Sequence, residues 1–269
     1  MVIVKGFLQL SGNLKNVSFY TRRGNDQVIA RTKGGATKEK IASSSSYKEL
    51  RQHQNEWKGC AKFGSVTRYA FGGLHRLADY NLTPVLMGMA KNLMKLEPKT
   101  ETGQRMIQLS LHKQVMEGFN FNRNNLFTSE LHVSVTGQID RENLLGTVSI
   151  PRINAANNLV NNQRLPYFRL ITVIGTVADM YYDSTEKAYF PMILKLHGVT
   201  GVLTGSWYPS KTIVPEQTMT VQMTPAQQAM LNDTITVVLS VGVEYGTVGT
   251  TGETVEVKYA GCGKVLAVI

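Results

Sequence analysis

The stretch Leu131-His132-Val133-Ser134-Val135 alternates apolar and polar residues. Period-two alternation sends successive side chains to opposite faces and reads as a strand with one buried face. It marks a change of pattern near Leu126. Downstream, Leu145–Ile150 and residues 168–177, 188–196, 218–223, 234–245, 254–259 and 264–269 are rich in Val, Ile, Thr and aromatic residues. Gly, Pro, Asn and Asp separate them. Short strands at fairly regular spacing predict an antiparallel β-sandwich of about seven strands with immunoglobulin- or fibronectin-like topology. Thr224-Pro225 caps one helical turn through Leu231, a kind of turn that commonly crosses between the sheets of a sandwich.

Upstream the pattern differs. Val2, Val4, Phe7, Leu8 and Leu10, then Val17 to Tyr20, then Gln27 to Arg31, predict an N-terminal hairpin with turns at Ser11-Gly12-Asn13 and Arg22-Arg-Gly-Asn25. Such a ribbon is marginal alone and must pack on something. Residues 34–46, GGATKEKIASSSS, have the composition of a flexible linker. Ser46-x-x-Glu49 is a capping box that starts a helix at Tyr47, with Leu50, Trp57, Cys60, Ala61 and Gly64 on one face and a break at Gly72-Gly73. Thr83-Pro84 starts a second helix with the stripe Val85, Leu86, Met89, Leu93 and Met94, stopped by Pro98. Residues 103–121 fit a helix and a strand equally well. The expected class is therefore α+β, with a hairpin-plus-helix module over residues 1–125 and the sandwich over 126–269.

Charge is segregated along the chain. Residues 1–130 hold 20 Lys+Arg against 9 Asp+Glu, a net of +11, while residues 131–269 hold 9 against 10. A basic, partner-facing N-terminal part is expected from that split. The cations on or just after the hairpin are Lys15, Arg22, Arg23, Arg31, Lys33, Lys38 and Lys40. They suit contact with an acidic protein surface or a sister subunit, contact with nucleic-acid phosphates, or simple solvation, with protein contact favoured. Phe19 and Tyr20 could stack on bases, but no RNA-binding aromatic signature is present.

No motif for chemistry stands out. Two cysteines, Cys60 and Cys262, are too few for a disulfide scaffold and, far apart in sequence, read as free thiols, and the five histidines lack metal-ligand spacing. No cofactor and no metal are expected. The Gly-rich stretches 201–205 and 242–252 follow no phosphate-loop pattern and read as hairpin turns. Asp179 with Asp183, and Asp140 with Glu142, sit in loops where acidic residues favour turns. Trp207-Tyr208-Pro209 and Tyr181-Tyr182 suit core packing better than an exposed aromatic patch. The polar run 154–164 is long for a loop and suits an interface. No apolar run approaches membrane-spanning length, and no leader peptide is expected at Met1-Val-Ile-Val-Lys-Gly-Phe. The expected compartment is the cytoplasm, or a particle assembled there.

Two stretches carry a resemblance. The opening Gly6…Ser11-Gly12…Asn16-Val17…Tyr20…Gly24…Arg31 leads into the Gln/Arg-rich helix over 51–63. Near the end stand Gly242-Val-Glu-Tyr-Gly246 and Tyr259-Ala-Gly-Cys-Gly-Lys-Val-Leu266. Together they resemble an uncharacterised group of proteins common in Bacteroidota, which begin with a glycine-bearing hairpin, continue into a Gln/Arg helix and finish in a β-sandwich. The usual Lys of that first turn is Asn13 here, and the Pro before the helix is absent. The resemblance implies an architecture and no activity.

These readings converge on a non-enzymatic structural protein that self-assembles as a homo-oligomer, either a component of a phage or phage-like particle or a filament subunit. Nucleic-acid binding through the basic half is the first alternative. A carbohydrate- or protein-binding sandwich is the second. No membrane partner is expected.

Overall fold

The computed structural model describes residues 2–4, 11–22, 25–32, 34–97 and 100–269. Its packing separates two compact units, Met1–Arg51 and Gln52–Ile269.

In the first unit, β1 (Val2–Val4), β2 (Gly12–Leu14), β3 (Val17–Arg22) and β4 (Asn25–Thr32) form an antiparallel sheet in the order β1-β4-β3-β2. The first turn lies later than the glycine suggested. Leu14 pairs with Val17, so the chain reverses at Lys15-Asn16, and Gly12 sits opposite Phe19 inside the ladder. Arg22 pairs with Asn25 as the second turn requires, and the two residues between them lie outside the described residues. The expected linker is largely folded. The Thr37 hydroxyl accepts the Lys40 N–H at 3.2 Å and caps α1 (Lys38–Ser43). The Arg51 guanidinium then donates to the carbonyls of Ile41 and Ser44 at 2.6 and 2.8 Å. Among the described side chains of this unit, only Val28 and Ile29 are buried.

The second unit opens on α2 (Lys48–Thr67), whose first residues belong to the first unit. Its buried stripe is Glu56, Gly59, Cys60, Phe63, Gly64 and Thr67. Trp57 and Leu50, expected on that stripe, are 52% and 41% exposed. A carboxylate holds the core position instead, because cations meet it there (below). A 3-10 segment, Arg68–Leu77, follows, kinked at Gly72, whose φ of 53° is a left-handed conformation that glycine adopts freely. The break expected at Gly72-Gly73 is thus a kink. Next comes α3 (Leu82–Leu96), which is capped by Asn81 rather than Thr83, the Asn81 side chain accepting the Thr83 N–H at 3.1 Å. Pro98 lies outside the described residues. Residues 103–121 are neither one helix nor one strand. They are threaded by isolated bridges, such as Ile107 to Met180, and by a 3-10 turn at Lys113–Met116.

The rest is β-rich. In order come α4 (Phe127–Glu130), β5 (Thr136–Asp140), β6 (Leu145–Ile150), β7 (Ile153–Asn154), α5 (Ala155–Asn158), β8 (Tyr167–Ala178), β9 (Met180–Asp183) and β10 (Ala188–Pro191). Then follow β11 (Val199–Thr204), β12 (Tyr208–Pro209), β13 (Ile213–Val214), β14 (Gln217–Gln222), α6 (Pro225–Gln228), β15 (Ile235–Val248) and β16 (Thr254–Val268). The class is α+β, with antiparallel pairing throughout the described strands. Gly201 lies inside β11 rather than in a turn, and 254–259 and 264–269 belong to one bulged strand.

The principal sheet runs β11-β8-β15-β16 with β12 beside β8, and a second runs β14-β6-β5. One face of the principal sheet packs on the second sheet, with Val148, Ile150, Met219 and Val221 meeting Phe168, Leu170, Val237, Leu239 and Val241. The α6 turn carries the chain from one of these sheets to the other, as expected of it. The opposite face packs on helices, where Phe63, Phe71, Leu74 and Leu86 share a core with Val173, Val177 and Val238. Covering both faces explains why β8 and β15 read as nearly continuous apolar runs, not clean alternations. It also shows that helices 52–96 and the strands belong to one compact unit, so the change of packing falls at Arg51/Gln52 and not near residue 125. Among the described residues, no helix is long and apolar enough to cross a membrane.

Candidate functional site

The described members of the basic set singled out by sequence stand on several elements of the first unit. Lys15 occupies the β2–β3 turn with φ 48° and is exposed. Arg31 stands on β4 opposite Ser18, near that same end, and is exposed too. Arg22 ends β3 at the far end of the sheet, about 16 Å from Val17 at 3.3 Å per residue. Lys38 and Lys40 lie exposed on α1. Arg23 and Lys33 lie outside the described residues. Cross-strand pairing puts Tyr20 with Ile29 and Phe19 with Ala30, so the two aromatic residues project to opposite faces and cannot stack on one strand of nucleic acid together.

The acidic pairs are structural. Asp179 is buried and accepts the N–H and hydroxyl of Ser110 at 3.0 and 2.5 Å. Burial pushes its carboxyl above the ordinary range, against those hydrogen bonds. Asp183 and Asp140 instead hold turns, accepting from the N–H groups of Thr185 and Glu186 and from Asn143. Among the described residues, no group of three His, Cys, Asp or Glu side chains is placed to hold a metal ion. Cys60 and Cys262 are both buried and unbridged. Burial raises the Cys60 thiol to about 11, which keeps it protonated and unreactive at neutral pH.

Glu56 is the most tightly held charge. It is fully buried, and Lys91, Nε and Nη2 of Arg105 (2.7 and 2.9 Å) and the Gly103 N–H (2.9 Å) donate to it. Burial alone would raise its carboxyl. The donors outweigh burial and hold it at about 2.

The concave feature that the sequence did not reveal is a cleft of about 820 Å³. Its walls are the 3-10 segment Arg68–Leu77, the residues leading into α3, and β15 with β16. A bulge builds one wall. Glu244 pairs with Gly261 and Gly246 with Glu256, which leaves Val257 to Ala260 opposite Tyr245 alone. Tyr259 is pushed out to 73% exposure at φ 60°. Gly261, at φ 144°, closes the bulge where a Cβ would stand 2.2 Å from the Val243 carbonyl oxygen. Beside it, Arg169 lies over the Trp207 ring at 4.2 Å and pairs with Glu244 (2.5 Å) and Glu256 (3.3 Å). Arg76 reaches Glu256 at 3.5 Å. His75 bonds the Gly72 carbonyl, and burial lowers its pKa despite that bond, with Arg68 and Arg76 adding to the fall.

The lining residues come from segments some 170 positions apart, which hid the cleft from a linear reading. Their one sequence signal was the pair of glycine motifs at 242–246 and 259–266. Those glycines serve close packing: a Cβ at Gly242 would stand 2.4 Å from Leu74 and one at Gly246 would meet the Trp207 ring at 2.7 Å. No family model, curated protein or solved structure matches the chain.

Proposed function

We propose that the chain is a non-enzymatic structural protein that self-assembles, as a component of a phage or phage-like particle or as a filament subunit, using residues 1–51 for attachment. The observation that carries this reading is a sheet whose described side chains bury only Val28 and Ile29. A small sheet whose described side chains bury so little is one that a partner would complete. The outer strands β1 and β2 each keep one ladder edge that no described strand pairs, and a sister chain could add there. Assembly would take place in the cytoplasm. Light scattering on the full chain should give a mass well above the 29.8 kDa monomer. Removal of residues 1–45 should return it to the monomer. A monomer for the full chain at high concentration overturns the proposal.

Nucleic-acid binding is the second reading, favoured by the exposure of Lys15, Arg31, Lys38 and Lys40 and by the net +7 of residues 1–51, where ten Lys+Arg face three Asp+Glu. It predicts affinity for DNA or RNA that falls steeply with salt and disappears when those four residues become Ala. Binding that ignores salt discards it.

A further inference from the structure

The cleft's acidic groups already have partners. The Asp79 carboxylate accepts the Arg123 N–H at 2.9 and 3.1 Å and the Asn124 N–H at 2.8 Å. Glu244 and Glu256 are met by Arg169, and Glu256 also by Arg76. Two of its cations stand differently. Arg68 has no carboxylate partner among the described residues. Its Nε is buried without an acceptor, its Nη2 reaches the Tyr69 hydroxyl at 3.5 Å, and its guanidinium lies 5.2 Å from that ring. Lys258 is exposed and, among the described residues, is also without an ion partner. The start of α3 lines the same cleft through Asn81 and Leu82, and its first turn carries no acidic residue to offset the positive end of the helix dipole.

Unmatched cations, a helix N-terminus and a concavity of about 820 Å³ suit a small anionic ligand in size and in charge. We propose that this cleft binds a small molecule bearing a carboxylate or phosphate group. Arg68 and Lys258 meet the oxyanion, and Tyr80 and Tyr259 contact the body of the ligand. Arg is suited to this because its planar fork matches both oxyanions. Among the described residues, all that line the cleft belong to Gln52–Ile269, and the proposal does not rest on the assembly proposed for residues 1–51.

Calorimetry on the full chain with inorganic phosphate, adenosine monophosphate and benzoate tests the site. Saturable binding of adenosine monophosphate or benzoate with a Kd below about 1 mM is expected. The tighter of the two assigns phosphate or carboxylate. Arg68→Gln and Lys258→Gln should each weaken binding about tenfold. A bound anion favours the charged imidazole, so the His75 ring should titrate at higher pH when the probe is present, by NMR. Lys258→Glu covers the case in which Arg68→Gln fails to fold, since Lys258 is exposed. The site is overturned if no probe saturates by about 10 mM, or if Lys258→Glu leaves affinity unchanged. Inorganic phosphate binding as tightly as adenosine monophosphate overturns the role of Tyr80 and Tyr259.

Discussion

Residues 52–269 cover β8 and β15 on both faces, by helices on one side and by β14-β6-β5 on the other. Residues 1–51 also build a sheet, yet among their described side chains only Val28 and Ile29 are buried. Charge runs the other way. The first unit carries a net +7 on 51 residues, and the second carries +3 on 218, from 19 Lys+Arg and 16 Asp+Glu. Apolar burial holds one sheet in place, while the described side chains of the other present cations and bury only Val28 and Ile29. The difference teaches that the same secondary structure can be an interior in one region and a surface in another, depending on what covers it.

The sharpest way to break this contrast is to attack the interior. Glu56→Ala leaves Lys91 and Arg105 partly buried without a counter-charge and strips the Gly103 N–H of its acceptor. Breaking a buried pair in this way costs about 3–5 kcal/mol, and thermal unfolding of the second unit should fall by roughly 10 °C. Glu56→Gln, which keeps an acceptor for Gly103, should lose less. A loss under about 1 kcal/mol in Glu56→Ala would show that the interior is not held at this point.

Acid tests the same interior through a different group. His197 is buried, its Nδ1 accepts the Ala178 N–H at 3.2 Å, and its Nε2 has no hydrogen-bond partner among the described residues. Burial, with Lys62 nearby, lowers its pKa from 6.5 to about 4. The unfolded chain therefore takes up this proton first as pH falls. Stability should drop between pH 6.5 and 4, by on the order of 3 kcal/mol in all, and level off below the folded value. Glu56 acts lower down. Its folded pKa is about 2 against 4.5, so its contribution is complete above pH 4.5 and disappears as pH falls toward 2. Urea unfolding of His197→Asn across pH should lose the upper limb and keep the lower one. An upper limb that survives the substitution would place the titrating group elsewhere.

Much of this fold was legible because local rules acted alone. Leu145–Ile150 is a strand with the bounds that its alternation predicts, and Thr224-Pro225 starts a turn where its cap says. The misreadings share a cause, which is that tertiary partners decided them. Trp57 fits the helical stripe as an apolar residue, but the stripe turns to bury Glu56 because Lys91 and Arg105 wait there. The run 34–46 has linker composition, but Thr37 and Arg51 tie it into a capped helix. The boundary near 125 tracked a change of periodicity, whereas packing joins the helices to the sheet. Close approach at Gly175, where a Cβ would stand 1.9 Å from the Ala70 carbonyl oxygen, seats that joint. The basic set was legible as residues, while the six residues of β3 that separate Arg22 from the Lys15 turn follow from strand pairing. Of the cleft only the glycine motifs were visible, because a bulge and a kink bring its walls together from distant segments.

The smallest expected effect belongs to the first unit. Lys15 holds φ 48° in the two-residue connection between β2 and β3, a conformation that costs a side-chain-bearing residue roughly 1 kcal/mol. Its side chain is exposed. Lys15→Gly removes the strain, but a more flexible unfolded chain returns part of the gain, so the net stabilisation of the turn should be under about 1 kcal/mol. Amide exchange at Leu14 and Val17 is the measurement suited to so local a change, and it should slow by a few-fold at most. A large effect in either direction would mean that the turn is held by contacts of its side chain. In that case the first unit would owe its order to Lys15 and not to the ladder of β3 and β4, and the contrast with the two-sided sheet would weaken.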